Sequence, residues 1–85
     1  MASVQLRLFA QARDAAGRST DTIEATTLGE ALERARTSYG DEFGAVLERA
    51  RVWINGDEAP EGDGTLLRDG DEVAVLPPVS GGSSR

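Results

Sequence analysis

Few side chains in this sequence could do chemistry, because its 85 residues contain neither cysteine nor histidine. Thiolate nucleophiles, imidazole acid–base catalysis and zinc sites of the usual kind are therefore excluded. The most crowded reactive groups are the carboxylates of Asp69, Asp71 and Glu72. They lack the spaced ligand loop and terminal glutamate of a calcium site. We interpret them as turn residues, because aspartate favours turn conformations.

The carboxyl-terminal segment offers a different kind of chemistry, that of a reactive chain end. It reads Pro77-Pro78-Val79-Ser80-Gly81-Gly82-Ser83-Ser84-Arg85, which excludes helix and disfavours a sheet interior. We predict a folded domain over residues 1–76 and a flexible tail over 77–85. At about 3.1 to 3.6 Å per residue, the tail reaches about 20 Å from Leu76 to Gly82, enough to enter another protein's active site. On composition alone, a disordered terminus without function is the alternative.

Two strands are predicted in the first third of the chain. Val4 to Ala10 alternates apolar and polar residues with the period of a half-buried strand, and Thr20 to Ala25 is rich in branched residues. Ala15-Ala16-Gly17 is predicted to be the turn of the hairpin that they form. Phe9 breaks the alternation, so it either covers the second face of the sheet or belongs to a partner surface.

Two helices are predicted in the middle of the chain. Thr27 and Glu30 have the capping-box spacing that starts a helix, and Gly40 is a natural stop. Glu30 and Arg34 are spaced for an i,i+4 ion pair. A second, shorter helix follows. The apolar positions expected to face the core are Leu28, Ala31, Leu32, Ala35 and Tyr39 in the first helix and Phe43, Val46, Leu47 and Ala50 in the second.

Short strands separated by turns are predicted in the last third. Asn55-Gly56 is the strongest turn signal, because both central positions of a type I′ turn need positive φ. Leu66 and Leu67 are expected to reach the core. The predicted segments are a strand over Val52–Ile54, a return at Ala59-Pro60, a loop over 61–64, a turn at Asp69-Gly70 and a last strand over Val73–Leu76.

These elements predict an α+β fold of the grasp type. A hairpin, a crossover helix and a further antiparallel pair make one mixed sheet of four to five strands, with the helix packed across it. In such a sheet the first and last strands lie side by side in the middle.

Charge narrows the set of partners. The net charge is −6, and residues 57–72 carry seven carboxylates against Arg68 alone. Nucleic acid is therefore not an expected partner, since phosphate binding needs the opposite sign. A protein with a basic surface would be attracted to this segment, although an acidic surface kept for solubility explains it equally well. All nine basic residues are arginine, so the chain offers no lysine for isopeptide attachment.

No stretch of the sequence approaches the roughly 18 apolar residues of a membrane span, and the start of the chain has no leader pattern. We therefore expect no membrane partner and a cytoplasmic location. Nothing in the sequence points to a metal or cofactor bound by the domain itself.

The last part of the sequence carries a family resemblance. Leu66 to Gly82, L-L-R-D-G-D-E-V-A-V-L-P-P-V-S-G-G, closely resembles the carboxyl-terminal signature of the MoaD/ThiS family of ubiquitin-like sulfur carriers. D-G-D-E-V followed by P-P-V-S-G-G is most similar to the molybdopterin synthase small subunits in that family. V-Q-L-R-L-F-A-Q-A-R-D-A-A-G, T-L-G-E-A-L and V-W-I-N-G-D also stand at the family's usual places. The resemblance thus covers nearly the whole chain.

The resemblance implies a carrier rather than an enzyme. An activating enzyme similar to the ubiquitin activators would use ATP to adenylate Gly82, and a sulfur donor would convert the product into a thiocarboxylate. The large subunit of molybdopterin synthase would then accept the tail, with Gly81 beside the reactive residue. The residues expected to contact such partners are Phe9, Leu76, Pro77, Pro78 and Val79.

Three alternatives remain at this point. The sulfur acceptor could belong to thiamine, cysteine or secondary-metabolite synthesis, the chain could be a ubiquitin-like protein modifier, or it could be a plain interaction domain. The sequence also departs from the family pattern, because Ser83, Ser84 and Arg85 follow the second glycine. Gly82 therefore has no free carboxylate, and we expect a protease to remove these three residues. Residues added for expression are the alternative origin of this segment.

Overall fold

Five strands and three α-helices lie along residues 1–59 and 61–78, the part of the chain that the computed structural model describes. The strands are β1 Ala2–Leu8, β2 Thr20–Ala25, β3 Arg51–Ile54, β4 Asp57–Glu58 and β5 Glu72–Leu76. The helices are α1 Ala10–Ala16, α2 Leu28–Tyr39 and α3 Asp41–Leu47, and a short 3₁₀ turn spans Gly62–Gly64. No helix in the described ranges is long and apolar enough to cross a membrane.

The strands form one mixed sheet in the order β2-β1-β5-β3-β4. β1 and β5 pair in parallel at its centre, with Leu8 opposite Val75, and the other neighbouring strands are antiparallel. This confirms the predicted grasp and the predicted place of the first and last strands. Because β1 and β5 run in the same direction, the chain leaves β5 at the end of the sheet where β1 also ends.

The core lies between one face of the sheet and the helices. Alternate residues of β1 are buried, as are Val73 and Val75 of β5, because successive strand side chains point to opposite faces. The predicted apolar stripe of α2 is buried except for Tyr39, which is half-buried, and Phe43 of α3 is fully buried. Ala50, expected in the same stripe, lies beyond the end of α3 and packs against the core only partly.

The connection between the first two strands differs from the prediction. β1 ends at Leu8 rather than at Ala10, and α1 replaces the turn expected at residues 15–17. Ala12 of this helix is fully buried, and Gly17 closes it in the left-handed conformation with a φ of 78°. The burial of Ala12 explains why a helix forms here. The alternation of apolar and polar residues, which indicates strands, could not predict it. The two strands still pair as an antiparallel hairpin.

The capping of α2 confirms the sequence signal. Thr27 Oγ1 accepts a hydrogen bond of 3.2 Å from the backbone N–H of Glu30. The Glu30 carboxylate in turn accepts 2.7 Å from the N–H of Thr26, one residue before the cap, and lies 3.5 Å from Arg34. Gly40 ends the helix with a φ of 99°, as a glycine can.

The second hairpin is confirmed and its return strand is shifted. Asn55 and Gly56 have φ of 53° and 88°, as a type I′ turn requires. A two-residue turn makes pairing resume at once, so Ile54 pairs with Asp57 and the return is Asp57–Glu58 rather than Ala59-Pro60. Pro60 lies outside the described residues.

Only one of the two leucines expected in the core reaches it. Leu67 is buried, whereas Leu66 is 71% exposed. Neighbouring residues of an extended segment point in opposite directions, so the two cannot both face inward. Leu66 instead makes an isolated bridge to Thr27.

Candidate functional site

The end of β5 is the place from which the chain leaves the sheet. Its last residue, Leu76, pairs with Arg51 of β3. On the other side, the N–H of Phe9 donates a hydrogen bond of 3.3 Å to the carbonyl of Val75. The exit therefore lies between two neighbouring strands, at the middle of one end of the sheet.

The face of the sheet opposite the core is open in the described part of the chain. The strand register determines which side chains lie on this face: Arg7 pairs with Ala74, and Ala74 pairs with Trp53. Phe9 follows β1 in extended conformation, so continuing this register places it across from Leu76 on the same face. Phe9 is 42% exposed and Leu76 is 36% exposed. An apolar pair thus stands on the open face at the exit.

Two ion pairs lie on this face beside the apolar residues. Arg7 Nε is 2.8 Å from a carboxylate oxygen of Glu72, and Arg51 contacts Glu58 at 3.1 Å. All four side chains are largely exposed. Exposed pairs of this kind contribute about 0 to 1 kcal/mol to stability, so they shape the surface more than they hold the fold.

The structure brings part of the predicted partner surface together. By the strand register, Phe9 and Leu76 lie across from each other at the exit. Pro77 is buried and Pro78 is exposed. Pro77 thereby anchors the start of the segment to the domain. Of the sequence-predicted site residues, Val79, Gly81, Gly82, Ser83, Ser84 and Arg85 lie outside the described residues. Contact of any of these side chains with a partner stays a prediction.

Arg51, Trp53 and Ala74 were missed as neighbours of the exit. Strand alternation in V-W-I and E-V-A-V-L does indicate that Trp53 lies on one face of its strand and that Ala74 and Leu76 share a face of theirs. That these faces coincide depends on the pairing of β3 with β5. No local signal in the sequence fixes that register.

The carboxylates of Asp69, Asp71 and Glu72 have structural partners, at the opposite end of β5. Asp69 accepts a hydrogen bond of 2.8 Å from the N–H of Ser3. Asp71 accepts one from the side-chain amide of Asn55 at 3.0 Å and one from the N–H of Arg68 at 2.9 Å. These bonds, that from Asn55 above all, lower the pKa of Asp71 below its usual value. The turn interpretation is confirmed for Asp69 and Asp71, whereas it is wrong for Glu72, which is the first residue of β5 and pairs with Arg7.

No group of three or more carboxylates in the described ranges is arranged to hold a metal ion. The described side chains around the exit are apolar residues and neutralised ion pairs. Such a surface can bind another protein.

Comparison with known proteins agrees with this geometry. The sequence model described as the ThiS family matches residues 6–82. The molybdopterin synthase sulfur carrier subunit of Emericella nidulans is 32% identical over 98 residues, covering 96% of this chain and all of that protein. The solution structure of small archaeal modifier protein 1 from Methanosarcina acetivorans superposes with a TM-score of 0.85 at 31% identity, covering 95% of this chain and 97% of that one.

A further structural relative was solved together with a partner subunit. It is the complex of subunits 1 and 2 of the molybdopterin-converting factor from Helicobacter pylori. The matched chain has a TM-score of 0.67 and 26% identity, with 93% of this chain and 97% of that one covered.

The sheet order, the helix across the sheet and the central exit of the last strand define a ubiquitin-like β-grasp protein. More narrowly, the chain belongs to the ThiS family, which groups small sulfur carriers with ubiquitin-like modifiers.

Proposed function

We propose that this chain is a sulfur carrier for molybdopterin synthesis and that Gly82 bears the sulfur. The observation that carries the proposal is the extent of the family match, which ends at residue 82, the second glycine. The relative from Emericella nidulans, named as a molybdopterin synthase sulfur carrier subunit, supports the choice of pathway.

The chemistry begins at the carboxylate of Gly82. This group is a poor electrophile, so the activating enzyme transfers AMP to it from ATP and releases pyrophosphate. A sulfide equivalent from the sulfur donor then attacks the carbonyl carbon and displaces AMP, which leaves a thiocarboxylate. Its sulfur is the nucleophile in the next step, in which it forms a bond to a carbon of the acceptor bound by the large synthase subunit and displaces an oxygen leaving group from that carbon. Hydrolysis of the resulting acyl–sulfur bond leaves sulfur on the acceptor and regenerates the carboxylate.

The folded domain contributes position rather than catalytic groups in this proposal. Residues 1–76 form the domain, and residues 77–85 are the tail that enters the partner's active site. Phe9, Leu76, Pro78 and Val79 contact the activating enzyme and the synthase large subunit, whereas the buried Pro77 holds the start of the tail against the domain. Gly81 and Gly82 allow a thin backbone to pass where a Cβ would be blocked. Since activation uses ATP, we place the carrier in the cytoplasm.

Gly82 must become a chain end before it can be adenylated. In the sequence its carbonyl is joined to Ser83 by a peptide bond, which offers no carboxylate to AMP. We therefore include a proteolytic step that hydrolyses the Gly82–Ser83 bond and removes Ser83-Ser84-Arg85. The match of the family to residues 6–82 supports this boundary.

A second candidate function is protein modification. It is favoured by the 31% identity to a small archaeal modifier protein over 95% of the chain. In that case a lysine amine of another protein attacks the carbonyl carbon of the adenylated Gly82, displaces AMP with loss of a proton, and forms an isopeptide bond. Both candidates share the activation step and diverge at the acceptor.

Mass spectrometry separates the candidates. The chain ending at Gly82 is incubated with its activating enzyme, ATP and a sulfur donor. A sulfur carrier gains about 16 Da, because one oxygen is exchanged for sulfur. Conjugates on lysines of other proteins, without a requirement for the sulfur donor, would indicate the modifier. A chain that gains neither would contradict both. Intact mass of the protein from its native cell tests processing, for which a species ending at Gly82 is expected.

A further inference from the structure

Ala10 has an unusual backbone conformation. Its φ is 50°, in the left-handed region that residues with a Cβ disfavour. Asn55 is the other non-glycine residue with positive φ in the described ranges, and it occupies a type I′ turn where asparagine is favoured. Alanine has no side-chain group to stabilise this conformation. The surrounding structure must therefore impose it.

The residues on both sides of Ala10 show what imposes it. The Phe9 N–H is held by the carbonyl of Val75 at 3.3 Å, and the Phe9 carbonyl accepts from the N–H groups of Ala12 at 3.0 Å and Arg13 at 3.4 Å. Ala12 is fully buried, whereas Phe9 points to the open face and is 42% exposed. The left-handed conformation of Ala10 changes the direction of the chain. It allows the Phe9 ring to point outward while the methyl group of Ala12 points into the core.

Other backbone conformations of Ala10 would not keep the Phe9 ring on the open face and Ala12 in the core at the same time. An extended residue would continue β1 past its hydrogen bond to β5, and a right-handed helical residue would start α1 in a different direction. Either change would move the Phe9 ring or expose Ala12. The conformation of Ala10 is thus coupled to the place of Phe9 beside Leu76.

We propose that Ala10 is a positioning residue, whose left-handed conformation fixes the Phe9 ring next to the exit of the tail for binding by the activating enzyme. This rests on the proposed function, in which Phe9 contacts that enzyme. Ala10 itself touches no reacting group in this proposal.

Two substitutions at Ala10 test the proposal in the chain ending at Gly82. Ala10→Val disfavours the left-handed conformation, because β-branched residues avoid positive φ. Ala10→Asn keeps that conformation accessible and is tolerated at this exposed position. Gly29→Ala serves as the matched control, because its Cβ would lie 3.0 Å from Cβ of Asp63 on the 3₁₀ turn, away from the exit. All variants are compared under conditions where each is folded.

The first readout is independent of the activating enzyme. Nuclear Overhauser contacts between the Phe9 ring and the Leu76 methyl groups are expected in the original chain, in Ala10→Asn and in Gly29→Ala, and to be lost or weakened in Ala10→Val. The second readout is adenylation, followed by ATP–pyrophosphate exchange. KM for the carrier should rise about fivefold or more in Ala10→Val with kcat unchanged, and remain near the original value in the other two variants.

The outcomes separate the positioning role from the function on which it rests. Phe9→Ala is measured in parallel, and it should raise KM at least as much as Ala10→Val. If Phe9→Ala raises KM while Ala10→Val changes neither KM nor the Phe9–Leu76 contacts, the positioning role is wrong and the interface stands. If Phe9→Ala leaves KM unchanged, the proposed interface is wrong and the role of Ala10 is lost with it.

Discussion

The hydroxyl of Tyr39, the last residue of α2, donates a hydrogen bond of 2.5 Å to Asp21 of the edge strand β2. Arg18 reaches the same carboxylate at 3.3 Å and lies 5.9 Å from the centre of the Tyr39 ring. The ring also meets Phe43 edge-on, with 5.0 Å between centroids. Because Phe43 is fully buried, this cluster ties the edge of the sheet to the core.

This cluster predicts a pH-dependent stability. The hydrogen bond from Tyr39 is the main cause that lowers the pKa of Asp21 below its usual value of 3.8. A lowered folded-state pKa stabilises the protein above the unfolded pKa, and this contribution is lost as the pH falls through the folded one. We expect Tyr39→Phe to lower the free energy of unfolding by about 1 to 2 kcal/mol at neutral pH. Urea unfolding should show a smaller loss at about pH 2, and an equal loss at both pH values would contradict the assignment.

Two glycines in helices should respond in opposite ways to alanine. In Gly29→Ala the new Cβ would lie 3.0 Å from Cβ and 3.2 Å from the carbonyl oxygen of Asp63. We expect a loss of about 1 kcal/mol or more, because this contact outweighs the gain in helix propensity. In Gly44→Ala the nearest atom is a flexible Arg36 carbon at 3.8 Å, so a gain of about 0.5 to 1 kcal/mol is expected. Thermal unfolding of both variants tests this ordering, which a stabilised Gly29→Ala would contradict.

The Asn55 side chain should matter beyond its turn. Its amide donates to Asp71 at 3.0 Å, and its carbonyl oxygen accepts from the N–H of Glu72 at 3.0 Å. Asn55→Gly keeps positive φ and loses these two exposed bonds, for an expected cost of about 1 kcal/mol. Asn55→Ala also places alanine in the left-handed region and should cost about 1 kcal/mol more. Equal midpoints of urea unfolding for the two variants would show that the turn conformation carries no cost.

We expect Leu76 at the exit to belong to the interface with the activating enzyme, and the exposed Leu66 to lie outside it. Leu76→Asp adds a charge beside the tail and is expected to weaken binding to the activating enzyme by at least about tenfold. Val79→Asp should act in the same direction. Leu66→Asp is the matched control, because Leu66 is more exposed, at 71%, and lies on the segment that bridges to Thr27. Unchanged binding by a folded Leu76→Asp chain would refute the interface, and so would an equal loss in the control.

The second glycine should be essential for transfer and irrelevant to folding. In the chain ending at residue 82, Gly82→Ala adds a Cβ at the reactive carboxyl group and none to the core. We expect an unchanged melting temperature and thiocarboxylate formation that is abolished or severely slowed. Ser80→Ala in the same segment is the control and should be charged normally. Full sulfur transfer by Gly82→Ala would rule out the proposed tail mechanism.

The sequence predicted those parts of the fold that are encoded locally. The Thr27 cap, the Gly40 stop and the Asn55-Gly56 turn each depend on residues within a few positions, and each is found in the structure. Helix α1 was missed because its one buried residue, Ala12, is too small to produce an apolar stripe. The exposure of Leu66 could not be predicted, because tertiary packing determines which of the two adjacent leucines is buried.

The candidate site was predictable in composition and less so in arrangement. Phe9 and Leu76 could be singled out as apolar residues without an obvious core partner. Their proximity depends on the parallel pairing of β1 with β5, between segments more than 60 residues apart. Tyr39 was expected in the core as an apolar residue, but its hydrogen bond to Asp21 required the position of β2 relative to α2.

The buried apolar side chains that the structure describes all lie between Ala2 and Pro77. In the proposed function, a chemical change at residue 82 alters none of these contacts, so the loaded and the spent form present the same folded surface. A partner that binds only this surface therefore has the same affinity for both forms. The spent form should consequently compete with the loaded form for the acceptor, as a product inhibitor. Turnover then requires that the folded surface bind the acceptor protein only moderately. The difference in affinity between the loaded and the spent form must come from the last atoms of the chain.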